Sequence, residues 1–330
     1  MSFTQNPEGV QSSYPRVTTR GKGEDVDGAP SQLFSKSYFY PMSTPSSINT
    51  VCVCGAGTMG AGIAQLCAQK GFSTVLFDIN KETLVKAENI IEKNLSQLVS
   101  RNKISEETKH IALQHLNFVS DTNHCIGDII IEAIAEKKEW KIALFNQLAE
   151  VNHSETLFVT NTSSLSVTEI ANGVQHPERV AGLHFFNPAT ILPLVEVITT
   201  PFINDLMIPR LVSFSKELGK TPVLCKDAPG FIVNHVARPY YLEALHLIEN
   251  GVTDIETIDR LLEASGFKMG PFKLMDLIGN DINYAVSCSV YEQLGHPVRL
   301  KPSPIQAQKV AEGALGKKTG KGYYDYPSSS

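Results

Sequence analysis

The chain has 330 residues, with 29 Lys and Arg against 34 Asp and Glu and a formal net charge of -5. That charge leaves no basic footprint for nucleic acid, no apolar run approaches the roughly 18 residues of a membrane span, and the length suits two domains with ample core. The six cysteines are scattered, with no paired metal-ligand spacing beyond Cys52-x-Cys54. They read as buried free thiols of a soluble protein in a reducing compartment, with no metal site.

Residues 1–47 are rich in Ser, Pro, Gly and Thr, balanced in charge and without periodicity, and are expected to be a disordered leader. Glu8, Glu24, Asp25 and Asp27 oppose a mitochondrial transit peptide despite Arg16 and Arg20, so a cytoplasmic location is expected. Met42, just upstream of the first strand, is expected to mark an alternative start, which would make residues 1–41 an extension, tag or mis-assigned start.

The organising stretch is VCVCGAGTMGAGIAQLCAQKGFSTVLFD, residues 51–78. It reads as strand (51–54), tight turn, helix (from Met59 through Ala68) and second strand (74–77). Gly55 permits the turn, Gly57 lets a pyrophosphate approach bare backbone, and Gly60 lets the helix pack on the strand. The amides that open the helix, at Thr58 and Met59, face an anion. Asp78 ends the second strand, where a carboxylate accepts from ribose hydroxyls and repels a 2′-phosphate, which favours NAD over NADP. Capping the next helix is the competing use of Asp78.

An amphipathic helix follows from Lys81 to about Arg101, with Lys86, Lys93, Arg101 and Lys103 read as a solvated face. Ser105 opens a shorter helix, and 116–119 is a strand. DIIIEAI, 128–134, is apolar and β-branched, as in a strand covered on both faces. Glu136 and Lys141 lie just beyond its carboxyl end, where open α/β sheets bind ligands. The helix 137–150 is expected to bury Ile142, Phe145 and Leu148, with Trp140 in or beside that face. Strand 156–160 ends in Asn161-Thr162-Ser163-Ser164, placed to touch a ligand, with Ser164 or Ser166 as the next N-cap.

Strand 180–186 delivers His184 and then Asn187-Pro188, and a short link leads to strand 194–198 with Glu196. Consecutive strands bring the two side chains near each other, and a carboxylate that orients an imidazole leaves the other nitrogen to take a proton. A satisfied core histidine is the competing reading. A helix over 204–218 and a strand over 222–225 lead to the turn Asp227-Ala228-Pro229-Gly230, the expected domain boundary. Five helices follow, over 231–249, 254–264, 271–278, 281–293 and 304–312. Asn234 opens the first of them, close to the cleft. The tail, GKKTGKGYYDY, offers Lys317 and Lys318 to phosphates or a carboxamide, or is a solvated loop.

GAGTMGAGIAQ (55–65), NTSSLSVTEIA (161–171), HFFNPATILPLVEV (184–197), DAPGFIVN (227–234) and GKKTGKGYYDY (316–326) resemble the 3-hydroxyacyl-CoA dehydrogenase family, in its short monofunctional 3-hydroxybutyryl-CoA type. The resemblance runs from about Ile48 to Tyr326. It implies an α/β Rossmann-type NAD-binding domain (48–228) followed by an all-α, 6-phosphogluconate-dehydrogenase-like domain (229–330) that binds substrate and forms a homodimer. It further implies NAD as cofactor and a 3-hydroxyacyl-CoA, oxidised to the 3-oxoacyl-CoA, as substrate. By position, His184 is the catalytic base and Glu196 its partner, while Ser163, Asn187 and Asn234 hold the reacting oxygens and the nicotinamide end. Gly55, Gly57, Thr58, Met59, Gly60, Asp78, Glu136, Lys141, Asn161, Ser163, Asn187 and Lys318 form the implied cofactor set. Asn94 and Arg101 stand where the family places a CoA-contacting serine and lysine. Lys273 and Lys137 depart from the family pattern. A dehydrogenase of free hydroxy or sugar acids and a non-catalytic NAD(H)-binding protein stay open as alternatives.

Overall fold

The computed structural model describes residues 47–326, which belong to one compact unit. The expectations for the leader and for Met42 lie outside the described residues.

The first half is built from β1 (Thr50–Cys54), α1 (Thr58–Gln69), β2 (Ser73–Phe77), α2 (Lys81–Ser100), α3 (Glu106–Gln114), β3 (Leu116–Val119), β4 (Ile129–Glu132), α4 (Lys138–Val151), β5 (Leu157–Thr160), α5 (Val167–Asn172), β6 (Val180–Phe185), β7 (Leu194–Thr199), α6 (Met207–Glu217) and β8 (Thr221–Lys226). The eight strands form one sheet in the order β3-β2-β1-β4-β5-β6-β7-β8. Strands β1 to β6 run parallel, β7 pairs antiparallel with β6, and β8 follows β7 in parallel. This is doubly wound Rossmann order, in which the chain turns back at β1 and opens a crevice beyond the strands' carboxyl ends.

Both faces of the sheet are covered, which is why its strands are apolar without alternation. Along β1 successive side chains still point to opposite faces. Val51 and Val53 join the core under α1, α2 and α6, whereas Cys52 and Cys54 join the core under α4 and α5. Helix α2 buries Leu84, Ala87, Ile91 and Leu95, and Asn80 caps it by accepting from Glu82 and Thr83. Asp78 therefore does not cap this helix. Ser105 caps α3 and Ser166, not Ser164, caps α5. In α4 the buried set is Lys141, Leu144, Phe145 and Leu148, with Ile142 only partly covered. Trp140 corrects its expectation: its ring is half exposed and carries the Lys137 ammonium 4.1 Å from its centroid.

The second half is helical: α7 (Val233–Glu249), α8 (Ile255–Ala264), α9 (Pro271–Ile278), α10 (Asn280–Gln293) and α11 (Pro304–Ala311). Leu242, Leu245, Ile258, Phe272 and Met275 form its core. The tail is docked rather than a solvated loop. The buried Asp276 carboxylate accepts from the Tyr323 and Tyr324 amides at 2.9 and 3.0 Å and from the Tyr326 hydroxyl at 3.0 Å. Tyr324 also donates to buried Asp259 at 2.8 Å. These bonds satisfy carboxylates that would otherwise be costly to bury.

Candidate active site

The glycine turn leaves β1 with Gly55 at φ +105°, a conformation that favours glycine. A Cβ on Gly60 would stand 1.7 Å from the Gly55 carbonyl oxygen, so α1 approaches the strand as closely as it does only without a side chain there. A Cβ on Gly57 would meet nothing within 4 Å, so that backbone is open on its outer side. Gly57 is the N-cap of α1 and makes no side-chain cap. Among the described residues the amides of Gly57, Thr58 and Met59 have no hydrogen-bond acceptor. Open backbone with aligned free amides and the positive end of a helix fits an anionic pyrophosphate.

Asp78 sits beside this turn. Its Oδ2 accepts from the Ala56 amide and its Oδ1 from the Asn80 amide, both at 2.9 Å. Each oxygen retains a lone pair for a ribose hydroxyl. Ile79, next in sequence, is 86 % exposed, an apolar side chain that sequence reasoning missed.

Beyond β4 and β5 lies a polar network. Lys141, almost fully buried, pairs with Glu132 at 2.6 Å and Glu136 at 3.2 Å. Glu132 also accepts from the Thr160 hydroxyl at 2.7 Å and the Ile134 amide at 2.7 Å. Burial raises its carboxyl above the ordinary range even against the attraction of Lys141. Glu136 accepts from the hydroxyls of Thr162 and Ser164 and from the Ser163 amide. Burial works to raise Glu136 as well, but Lys141 and the hydroxyl donors overcome it and hold the carboxyl low. Lys141 thus reaches the two glutamates instead of open cleft. Glu132 was legible as the one acid inside an apolar strand, but nothing local announced its partner.

Asn161 accepts from the Phe185 amide at 2.8 Å, tying the end of β5 to β6. Asn234, on the first turn of α7, donates to the Ser163 carbonyl at 3.4 Å. Ser164 receives Ser289 and Gln293 of α10 at 3.1 and 2.7 Å. The loop after β5 is therefore held from both halves of the chain.

The antiparallel register places His184 of β6 directly opposite Glu196 of β7. Nδ1 of His184 meets Oε2 of Glu196 at 2.7 Å, and both side chains are buried. The other carboxylate oxygen, Oε1, accepts from the Ile232 and Val233 amides at the start of α7, both at 2.9 Å. Burial alone would raise the Glu196 carboxyl, but the bond from His184 and these amides hold it below the ordinary range. The imidazole is flanked by Phe186 and Phe231 with ring centroids 4.5 and 5.7 Å away. With Nδ1 bound to a carboxylate, Nε2 is the nitrogen left for proton transfer.

Asn187 precedes a cis bond to Pro188. Together with Thr190 it faces a cleft of about 330 Å³ whose other walls are Gly57, Thr58, Gln65, Lys86 and Asn94. Asn94 is held in this wall by its bond to Gln65 at 3.1 Å. Arg101, the exposed C-cap of α2, is absent from it, since seven helical residues carry the chain about 10 Å onward. Lys86 lines the cleft and is exposed, in keeping with the solvated face expected of it. Lys318 bonds both oxygens of Asp281 at 2.6 and 2.7 Å and lies beside Gly279.

A doubly wound sheet, a glycine turn with free helix-opening amides and an acid at the end of β2 define a dinucleotide-binding protein. The chain matches the family model for the 3-hydroxyacyl-CoA dehydrogenase NAD binding domain over residues 50–228 and that for the family's C-terminal domain over 230–326, and it belongs to the 3-hydroxyacyl-CoA dehydrogenase family. It is 46% identical over 282 residues to the 3-hydroxyadipyl-CoA dehydrogenase of Escherichia coli, covering 85% of this chain and 59% of that one. The mitochondrial hydroxyacyl-coenzyme A dehydrogenase of Sus scrofa is 39% identical, with 84% of this chain and 91% of that protein covered. Among solved structures, the (S)-3-hydroxybutyryl-CoA dehydrogenase of Ralstonia eutropha superposes with a TM-score of 0.81 at 34% identity, covering 85% of this chain and 99% of the other.

Proposed function

We propose that the protein catalyses the reversible, NAD-dependent oxidation of a short-chain (S)-3-hydroxyacyl-CoA to the 3-oxoacyl-CoA. The observation that carries this reading is the His184–Glu196 pair, braced by two backbone amides of α7. The glycine turn, Thr58, Met59 and Asp78 would hold NAD, which supplies the hydride acceptor, and exposed Ile79 would cover one face of its adenine. His184 takes the hydroxyl proton at Nε2. Glu196 balances the imidazolium that forms, and among the described residues no lysine or arginine pairs with it, so its charge stays available for that task. Ser163 and Asn234, already joined, would hold the C3 oxygen, which matters most in reduction, where a carbonyl gains negative charge. Glu136, Asn161 and Asn187 would approach the nicotinamide end. The cleft beside Asn187 suits a CoA thioester, with Asn94 and Lys86 on its wall, and Arg101 falls outside this reading.

The relatives named for 3-hydroxyacyl-CoA substrates support the thioester. A homodimer through the helical half rests on apolar side chains left exposed there, and a cytoplasmic, reducing location rests on six free thiols. No helix among the described residues is long and apolar enough to cross a membrane.

The test is NADH oxidation with acetoacetyl-CoA, run beside free acetoacetate and the His184→Gln protein. Turnover with the thioester alone is expected, falling about a hundred- to ten-thousand-fold in the variant while NADH affinity stays close to wild type. Undiminished turnover in the variant removes His184 as the base. Turnover with free acids only moves the protein to hydroxy-acid or sugar-acid oxidation.

A further inference from the structure

Outside the proposed site, the fold gathers three thiols. Cys52 and Cys54 share the β1 face turned toward α4, with sulfurs 3.9 Å apart. Cys125, in the segment before β4, joins them, and the three sulfurs all lie within 4.8 Å of one another. All three residues have no exposed surface. Cys125 is held in place by its carbonyl, which accepts from Asn152 at 2.8 Å.

Sulfurs about 2.3 Å from a shared pyramidal centre stand roughly 3.5 Å apart, so the 3.9 Å pair needs only a small contraction and any wider pair, up to 4.8 Å, a larger one. The set contains no nitrogen or oxygen ligand, and thiolates select soft centres over hard cations. A structural zinc site takes four ligands, one more than this group supplies. Charge then decides among soft centres. Val75, Phe77, Ile130, Phe145 and Leu148 belong to the same apolar cluster, the Cys125 thiol has the Asp121 carbonyl 3.9 Å away, and an uncompensated charge in so buried a place is expensive. Three thiolates leave a net charge of minus two on a monovalent centre and minus one on a divalent one. On a trivalent centre they leave none.

We propose that Cys52, Cys54 and Cys125 form a three-thiol site for a soft trivalent centre of the arsenic(III) class. Arsenous acid, small and uncharged at neutral pH, is the form that enters. Three S–H and three As–O bonds break, three As–S bonds form and three waters leave. Arsenic keeps its oxidation state, and the product is neutral. The adduct joins β1 to the segment before β4, so it restrains the unfolded chain as a disulfide would.

The experiment incubates the folded, full-length protein with arsenous acid and reads native mass spectra and thermal midpoints. Wild type should gain one arsenic with loss of three hydrogens, and its midpoint should rise. Cys125→Ser should lose this adduct, whereas Cys67→Ser, whose thiol is buried elsewhere, should keep it. Cys125→Ala serves where the serine variant fails to reach a cooperative thermal transition. An adduct that retains a hydroxyl with loss of only two hydrogens, survival of the full adduct in Cys125→Ser, or no adduct on folded wild type each overturns the proposal. His184→Gln should bind arsenic as wild type does, which separates this outcome from that of the proposed reaction.

Discussion

Glu196 uses both carboxylate oxygens, one on His184 and one on two amides of α7. The pair therefore does structural work as well as the proton transfer assigned to it. Its carboxyl is held below the ordinary range when folded, whereas an unfolded glutamate titrates near about 4.3. The ionised form thus contributes stability that is fully present above the unfolded value and is lost as pH falls through the folded one. Glu196→Gln should lower the thermal midpoint at neutral pH and flatten its decline on acidification below about 4. Parallel acid declines in the two proteins would show that Glu196 carries no such linkage. Lys141 makes a sharper case. Truncating it strands Glu132 in the core, and breaking one side of a buried pair costs about 3–5 kcal/mol. Lys141→Met should show a thermal midpoint well below that of Lys138→Met, whose ion pair with Glu169 is exposed at the surface. Equal midpoints would mean that the buried pair is not the brace of the loop after β5.

At the scale of elements, the glycine turn is where geometry leaves least freedom. Gly60→Ala would drive a Cβ into the Gly55 carbonyl, and overpacking of this kind costs typically about 1–3 kcal/mol. The variant should bind NADH far more weakly while keeping its helical content by circular dichroism, and unchanged NADH affinity would show that α1 can shift without disturbing the amides. This turn was legible in the sequence because strand, glycines, helix and acid are contiguous. So was the closeness of His184 and Glu196, which a short link guarantees. The antiparallel pairing that puts them directly opposite was not legible, since link length does not set register. Lys141 looked like a ligand contact because its burial depends on pairing with Glu132 of β4 and with Glu136 in the link that follows it. Lys86 is solvated as its pattern says, but that it shares a cleft with Asn187 was not legible, since no local pattern reports a wall built from distant chain. Cys125 met Cys52 and Cys54 only through the β1–β4 pairing.

The whole molecule leaves its helical half incompletely covered. Leu261, Leu277 and Ile282, from α8, α9 and α10, are each about half exposed or more, and Val236 on α7 is 69 % exposed. Single exposed apolar residues are ordinary; four on the helices of one half are what the dimer proposed above would cover. A second copy of the chain is the occupant proposed above, so wild type should sediment as a dimer with a thermal midpoint that rises with concentration. Leu261→Asp combined with Ile282→Asp should give a monomer whose midpoint no longer depends on concentration. Both sites are solvated in the single chain, where such changes usually cost within about 0.5 kcal/mol, so loss of helicity is not expected and any large drop in midpoint belongs to the lost partner. Wild type sedimenting as a monomer across the concentration range would remove the dimer, while leaving the pair on β6 and β7, which one chain supplies complete, free to work alone.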